Sequence, residues 1–211
     1  MKILVFTPIK NLYLNTLVAI HQMEWSSPIA WVQWCDNADQ DGRVNVVNAY
    51  NGGRALCLSG WDALLCIEND IIPPRATLQR LAAVKADVIY GLYCYRYPGH
   101  AWNAYHNGYQ LSAKPAEARA AWGSVCEVEG YGLGCTLIHR HVLEKIEFRI
   151  TQGNELHCDS YFAEDVKAAG FRQICDLGVR CGHIVNHYRI VWPDIDQPKL
   201  YRYSFGEVSR D

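Results

Sequence analysis

Two carboxylates, Glu68 and Asp70, stand one residue apart behind the apolar run Ala63-Leu64-Leu65-Cys66-Ile67 and ahead of Pro73-Pro74. On an extended segment residues i and i+2 face the same way. Both acids could therefore grip one hard cation, or a cation and a ribose hydroxyl. An acid pair can also simply cap the next helix, but a buried strand before it and two prolines after it favour the ligand reading. Asp159 opens a second helical stretch in which Phe162, Val166 and Ala169 form an inward stripe. A carboxylate at the edge of such a stripe can take the proton of an attacking hydroxyl, or serve as an N-cap. Glu164 points away from the stripe, and the Glu164-Asp165 pair is expected on the solvated surface. His183, after Cys181-Gly182, offers one imidazole, which Mn²⁺ accepts beside oxygen ligands. A structural zinc site from His157, Cys158, Cys181 and His183 is the rival reading, with suitable ligands but without knuckle spacing.

The elements that must position these groups follow from the hydrophobic pattern. Lys2 to Phe6, Ile29 to Trp34, Ala63 to Ile67 and Val88 to Tyr93 have the character of buried strands. Leu14, Leu17, Val18 and Met23, then Val46 to Leu58, then Arg75 to Lys85 have helical spacing, with Pro74 suited to a first turn. This alternation predicts βαβ crossovers and a single Rossmann-like α/β domain, with a mostly parallel central sheet flanked by helices. The stretch from Tyr97 to Trp122 is an aromatic-rich excursion. Order resumes with Ser124 to Val128, Cys135 to His139, a helix near Arg140 to Lys145, a helix over Asp159 to Ala169, and short strands near Gln173–Cys175 and Val179–Cys181. Past Asn186 the chain is rich in tyrosine and proline without periodicity.

Composition narrows the function. The chain has 211 residues, half of them apolar, and a formal net charge of −2. That is enough for one α/β core, and no basic run supports a nucleic-acid partner. Nine cysteines, an odd count scattered in apolar segments, predict reduced thiols and a cytoplasmic protein. No signal-peptide core or membrane-spanning apolar run is present.

Leu64 to Pro74, with its Glu68-Asn69-Asp70 triplet, resembles the metal-binding D-x-D-type motif of GT-A glycosyltransferases of family 2 type. Three further blocks follow in that family's order. Gly130-Tyr131-Gly132-Leu133-Gly134 and the residues to Leu143 resemble its glycine-rich turn. Cys158-Asp159 through Ala169-Gly170-Phe171 resemble its "E-D … A-x-x-A-G-F" helix. Cys181-Gly182-His183 resembles its late metal-binding histidine. Glu68 stands where Asp is commoner, and Cys158 where Glu usually precedes the catalytic acid.

The resemblance implies a hexosyltransferase acting on a nucleotide sugar, UDP- or GDP-linked, and a hydroxyl acceptor such as a glycan, glycolipid precursor or small molecule. Inversion follows from a single base. Asp159 would be the general base. Asp70, His183 and Glu68 would hold Mn²⁺ or Mg²⁺, which stabilises a diphosphate leaving group. Thr7, Pro8, Asp36, Asn51, Arg54, Glu68, Asn69, Gly132 and Gly134 would contact the nucleotide sugar, Arg54 as a phosphate partner. Tyr93, Tyr95, Trp102 and Trp122 could stack on a sugar or pack the core. Residues 1–185 would form the catalytic domain. The tail 186–211 and the excursion from Tyr97 to Trp122 would shape the acceptor site. A nucleotidyltransferase, or a non-catalytic nucleotide- or carbohydrate-binding module, is the alternative; an N-terminal phosphate loop for the former is lacking.

Overall fold

A computed structural model describes residues 1–8, 13–27, 29–34, 39, 41–130, 132–151, 156–186 and 189–196 with side chains, and 199–204 and 207–210 by backbone. The elements run β1 (Ile3–Pro8), α1 (Leu14–His21), β2 (Ile29–Trp34), α2 (Gly42–Leu58), β3 (Ala63–Ile67), β4 (Ile71–Ile72), α3 (Thr77–Ala83) and β5 (Val88–Leu92). There follow β6 (Tyr105–His106), β7 (Tyr109–Gln110), α4 (Pro115–Ala121), β8 (Val125–Glu127), β9 (Cys135–His139), α5 (Arg140–Leu143) and α6 (Cys158–Ala168). The last strands are β10 (Gln173–Arg180), β11 (Gly182–Asn186), β12 (Arg189–Trp192), β13 (Lys199–Ser204) and β14 (Glu207–Arg210).

The central sheet has seven strands in the order β2-β1-β3-β9-β5-β10-β8. β2, β1 and β3 run parallel, as do β5 and β10. β9 is antiparallel to both its neighbours, and β8 closes the edge antiparallel to β10. The strands that lie parallel therefore present their carboxyl ends along one edge. Thr7 and Pro8 end β1 there, Glu68 follows β3, and Tyr93 follows β5, at the place where open α/β sheets form their ligand crevice. Every residue of β3 and β5 is buried, as expected for strands covered on both faces.

A second sheet, in the order β14-β13-β12-β11-β4, begins in the short strand behind Asp70. Beyond Asn186, where the sequence shows no periodicity, the described residues form β12, β13 and β14, each antiparallel to its neighbours. Residue 185, the expected boundary, lies in β11. Two helices differ from the sequence reading. In α1 the buried residues are Thr16, Ala19 and Ile20, while Leu14 is 69 % and Val18 43 % exposed. Of the apolar positions named from the sequence, Leu14 and Val18 face outward, Leu17 is half-buried, and Met23, just past the helix, joins Ile20 in the core. In α3, Pro74 precedes the helix instead of joining its first turn, and its carbonyl accepts from the Thr77 amide and hydroxyl.

Candidate active site

The site starts where β3 stops. The Ile71 amide donates to the Glu68 carbonyl at 3.0 Å, and the Glu68 amide donates to the Gly134 carbonyl at 2.9 Å. Glu68 to Ile71 is consequently a turn, with Asn69 in its middle. The two acids leave this turn toward different partners, instead of sharing a face as alternate residues of a strand.

Glu68 is held by Tyr50, whose hydroxyl donates to Oε1 at 2.8 Å. Asp70 is 7 % exposed. Its Oδ2 meets Arg96 Nη1 at 2.9 Å and His183 Nε2 at 3.5 Å. The register fixes the histidine there: His183 pairs with Ile71 across β11 and β4, and the Ile184 amide donates to the Asp70 carbonyl at 2.8 Å.

The histidine tautomer follows from its other contact. Nδ1 lies 2.7 Å from the Cys94 carbonyl oxygen. That oxygen can only accept, so Nδ1 carries a proton, and Nε2 is the nitrogen that faces Asp70. The Tyr93 ring stands edge-on to the imidazole at 5.3 Å. Metal-binding histidines are oriented in this way, one nitrogen donating to a carbonyl and the other free for the ion. Nε2 and Asp70 Oδ2 stand 3.5 Å apart, close enough to act on one ion together. The pair fits Mn²⁺ or Mg²⁺ bound by one carboxylate and one imidazole, with phosphate and water completing the shell. Among the described residues, no three His, Cys, Asp or Glu side chains gather as a metal-holding group. The zinc set of His157, Cys158, Cys181 and His183 therefore does not form, and Glu68 directs its Oε1 to Tyr50.

Asp159 reaches the same site from α6. The buried residues Cys158, Phe162 and Val166 pin one face of that helix. Gln173 ties it to the sheet, donating to the Ala163 carbonyl at 3.1 Å and accepting from the Tyr90 hydroxyl at 2.6 Å. The helix ends at Gly170 with φ 76°, and the Phe171 amide reaches back to the Val166 carbonyl. This is the glycine stop that the Ala-Gly-Phe sequence suits. Asp165 of the neighbouring acid pair binds Arg149 through two hydrogen bonds at the surface.

Gly132 and Gly134 bring the chain against this centre. A Cβ on Gly132 would overlap the Tyr93 hydroxyl and lie 3.5 Å from Asp159 Oδ2; one on Gly134 would lie 2.8 Å from Tyr93 Cζ and 3.0 Å from Ile71 Cγ1. The requirement is close approach, which only glycine allows.

Burial makes the carboxylates unequal. It pushes Glu68 up to about 7, with the Asp70 and Asp159 charges adding to the shift and the Tyr50 hydrogen bond and His183 opposing it. Burial likewise raises Asp159, against hydrogen bonds from the Ser160 amide and its own backbone and the charge of His157. At Asp70 burial is outweighed by His183 and Arg96, which leave its carboxyl below the ordinary value. The site thus holds one firm anion and two carboxyls of raised proton affinity.

The remaining expected residues are placed as follows. Thr7 is buried at the carboxyl end of β1 and accepts from the Trp31 indole at 3.1 Å; Pro8 follows it. Asp36 lies outside the described residues. Asn51 binds the Phe148 backbone at both its amide and carbonyl, at 3.0 and 2.8 Å. Arg54 donates to the Leu143 and Ile146 carbonyls and pairs with Glu147. These two side chains hold the segment after α5. Trp102 is buried and stacks on Trp122 at 5.1 Å, while Tyr95 stacks on Tyr97. Two site residues escaped the sequence reading. Tyr50 looked like core, and no spacing marks it. Arg96 had a signal, as a cation just beyond a buried strand at the carboxyl edge of the sheet.

No family model matches the chain, and no curated protein matches it. Among solved structures it is similar to A197 from STIV, with 20 % identity, 100 % of this chain and 98 % of that one covered, and a TM-score of 0.68. It is also similar to residues 1–349 of TarS from S. aureus, solved in complex with UDP, with 16 % identity, 83 % of this chain and 57 % of that one covered, and a TM-score of 0.50. At these identities the likeness establishes the fold alone, a single Rossmann-like α/β arrangement shared with these structures.

Proposed function

We propose that the protein is a metal-dependent glycosyltransferase that moves a sugar from a nucleoside diphosphate to a hydroxyl acceptor. The observation that carries the reading is the buried Asp70–His183 pair. His183 is held by Nδ1 on the Cys94 carbonyl with Nε2 toward the Asp70 carboxylate, and the pair lies at the carboxyl edge of the central sheet. UDP is the first donor nucleotide to test, since TarS was solved with it; GDP is the second. A Mn²⁺ or Mg²⁺ ion held by Asp70 and His183 would stabilise charge on the departing diphosphate.

The chain's own residues do the rest. Asp159, whose carboxyl is raised by burial, accepts the proton of the attacking hydroxyl at Oδ2. Gly132 and Gly134 let the sugar approach the backbone beside Tyr93. Glu68, kept in place by Tyr50, faces the ribose side of the site. Thr7, Pro8 and Asn69 border the nucleotide along the carboxyl edge. One base acting on the acceptor gives inversion at the sugar.

The test is turnover of UDP- and GDP-sugars with Mn²⁺ and a panel of hydroxyl acceptors. Asp159→Asn is expected to retain donor binding and lose transfer about 10²- to 10⁴-fold. Equal loss of binding and transfer would make Asp159 a structural cap. A wild-type chain that binds donor without any transfer or hydrolysis would be a binding module.

A further inference from the structure

Asp70 Oδ2 has two cationic or potentially cationic neighbours. Arg96 lies 2.9 Å from the same oxygen that faces His183. The guanidinium therefore occupies the oxygen a divalent ion would need, and two cations sharing one carboxylate oxygen repel each other. A divalent ion arriving between Asp70 and His183 therefore weakens the hold of Arg96 on that oxygen.

The surroundings of Arg96 suit departure. Its backbone belongs to a tightly closed loop. The Tyr95 amide donates to the Ala101 carbonyl and the His100 amide to the Tyr97 carbonyl, each at 2.9 Å. His100 Nδ1 donates to the Tyr95 carbonyl at 2.9 Å. The loop turns through Gly99 at φ 92° and His100 at φ 40°. The Arg96 side chain, by contrast, is 51 % exposed. The pivot is fixed and the charged head can rotate into the crevice. A guanidinium released there offers a planar fork that matches phosphate oxygens in two-point contact.

We infer that Arg96 is a positioning residue that changes partner: it neutralises Asp70 until a divalent ion takes Oδ2, and then binds the diphosphate of the donor. This rests on the nucleotide-sugar reading above. Its thermodynamic signature is a part of the metal–nucleotide coupling that depends on Arg96, which a merely structural ion pair lacks. Metal alone must displace Arg96 and binds weakly. A nucleoside diphosphate gives the displaced guanidinium a new partner, so metal and nucleotide each strengthen the other's binding by the same factor.

The experiment is calorimetric titration of Mn²⁺ into the whole chain, alone and with saturating UDP or GDP, in wild type, Arg96→Ala and Arg96→Lys. The expected result is nucleotide-enhanced Mn²⁺ binding in wild type. In Arg96→Ala, Mn²⁺ alone binds several-fold tighter, nucleotide binds about 10- to 100-fold weaker with metal present, and the mutual enhancement falls. Arg96→Lys keeps the charge on Asp70, so Mn²⁺ affinity stays near wild type, while nucleotide affinity is intermediate because the fork is lost. Wild type showing enhancement that Arg96→Ala retains in full would overturn the role of Arg96 and leave the nucleotide-sugar reading standing. Wild type that binds neither nucleotide with Mn²⁺ would overturn both.

Discussion

At the residue scale, the chemistry rests on three carboxylates that share one crevice and differ in proton affinity. Glu68 is the most informative. Its ordinary value of 4.5 rises to about 7 in the fold. The folded state therefore binds the proton more tightly than the unfolded chain. Glu68's contribution to stability is complete below about pH 4.5 and is lost as pH rises through 7. Glu68→Gln should remove this loss, so its melting temperature should exceed that of wild type by several degrees at pH 8 and by less at pH 5. Differential scanning calorimetry across that range checks it; parallel profiles for the two proteins would contradict the assignment. The sequence made Asp70, Asp159 and His183 legible because each terminates or opens an apolar element. Tyr50 was invisible, because a tyrosine on a helix looks like core until its hydroxyl finds Glu68.

At the element scale, the positions of the acids depend on a stack of rings. Tyr50 stacks on Phe148 at 5.0 Å, and Phe148 on Phe162 of α6 at 4.8 Å. Asn51 holds the Phe148 backbone from the next position on α2. One aromatic column therefore joins the helix that steadies Glu68 to the helix that carries Asp159. Asn51→Ala should cost about 1–3 kcal/mol by leaving two backbone groups unpaired, with nucleotide affinity of the folded protein changed less than twofold. Urea unfolding and calorimetry together separate the two effects. A large loss of affinity at unchanged stability would return Asn51 to the nucleotide site. The strands Ile29–Trp34 and Cys135–His139 were readable to the residue, since continuous apolar or aromatic runs bounded by polar residues leave little choice. The turn at Glu68–Ile71 was not, because two isoleucines after the acids extend the β pattern, and only tertiary pairing of β4 with β11 decides that the chain folds back.

At the scale of the whole molecule, two sheets meet at the candidate site. The central sheet delivers Glu68 and Arg96 from its carboxyl edge, and the second sheet delivers His183 to Asp70 through β4 and β11. The tail strand β12 covers β11, and Trp192 packs against Gly182, where a Cβ would lie 2.7 Å from its ring. Removal of residues 187–211 should therefore lower the melting temperature and weaken metal and nucleotide binding together, because β11 would lose a neighbour along its length. Retention of full Mn²⁺ and nucleotide affinity in the truncated chain would contradict that support. The parallel core followed from alternating strand and helix patterns. The antiparallel insertion of β9 between β3 and β5 did not, since strand direction depends on connections across the excursion after Tyr97. No helix among the described residues is long and apolar enough to cross a membrane.

The central claim is that Asp70 and His183 hold a divalent ion that a nucleoside diphosphate shares. Its most direct test is the melting temperature of wild type and Asp70→Asn with UDP and GDP, each with Mn²⁺, Mg²⁺ or EDTA. A ligand that binds only the folded state raises apparent stability, by about 2.7 kcal/mol at a hundred times its dissociation constant. The account predicts a rise of several degrees for one nucleotide together with metal, abolished by EDTA and absent in Asp70→Asn. A rise indifferent to metal and to Asp70, or no rise in wild type with either nucleotide, would contradict it.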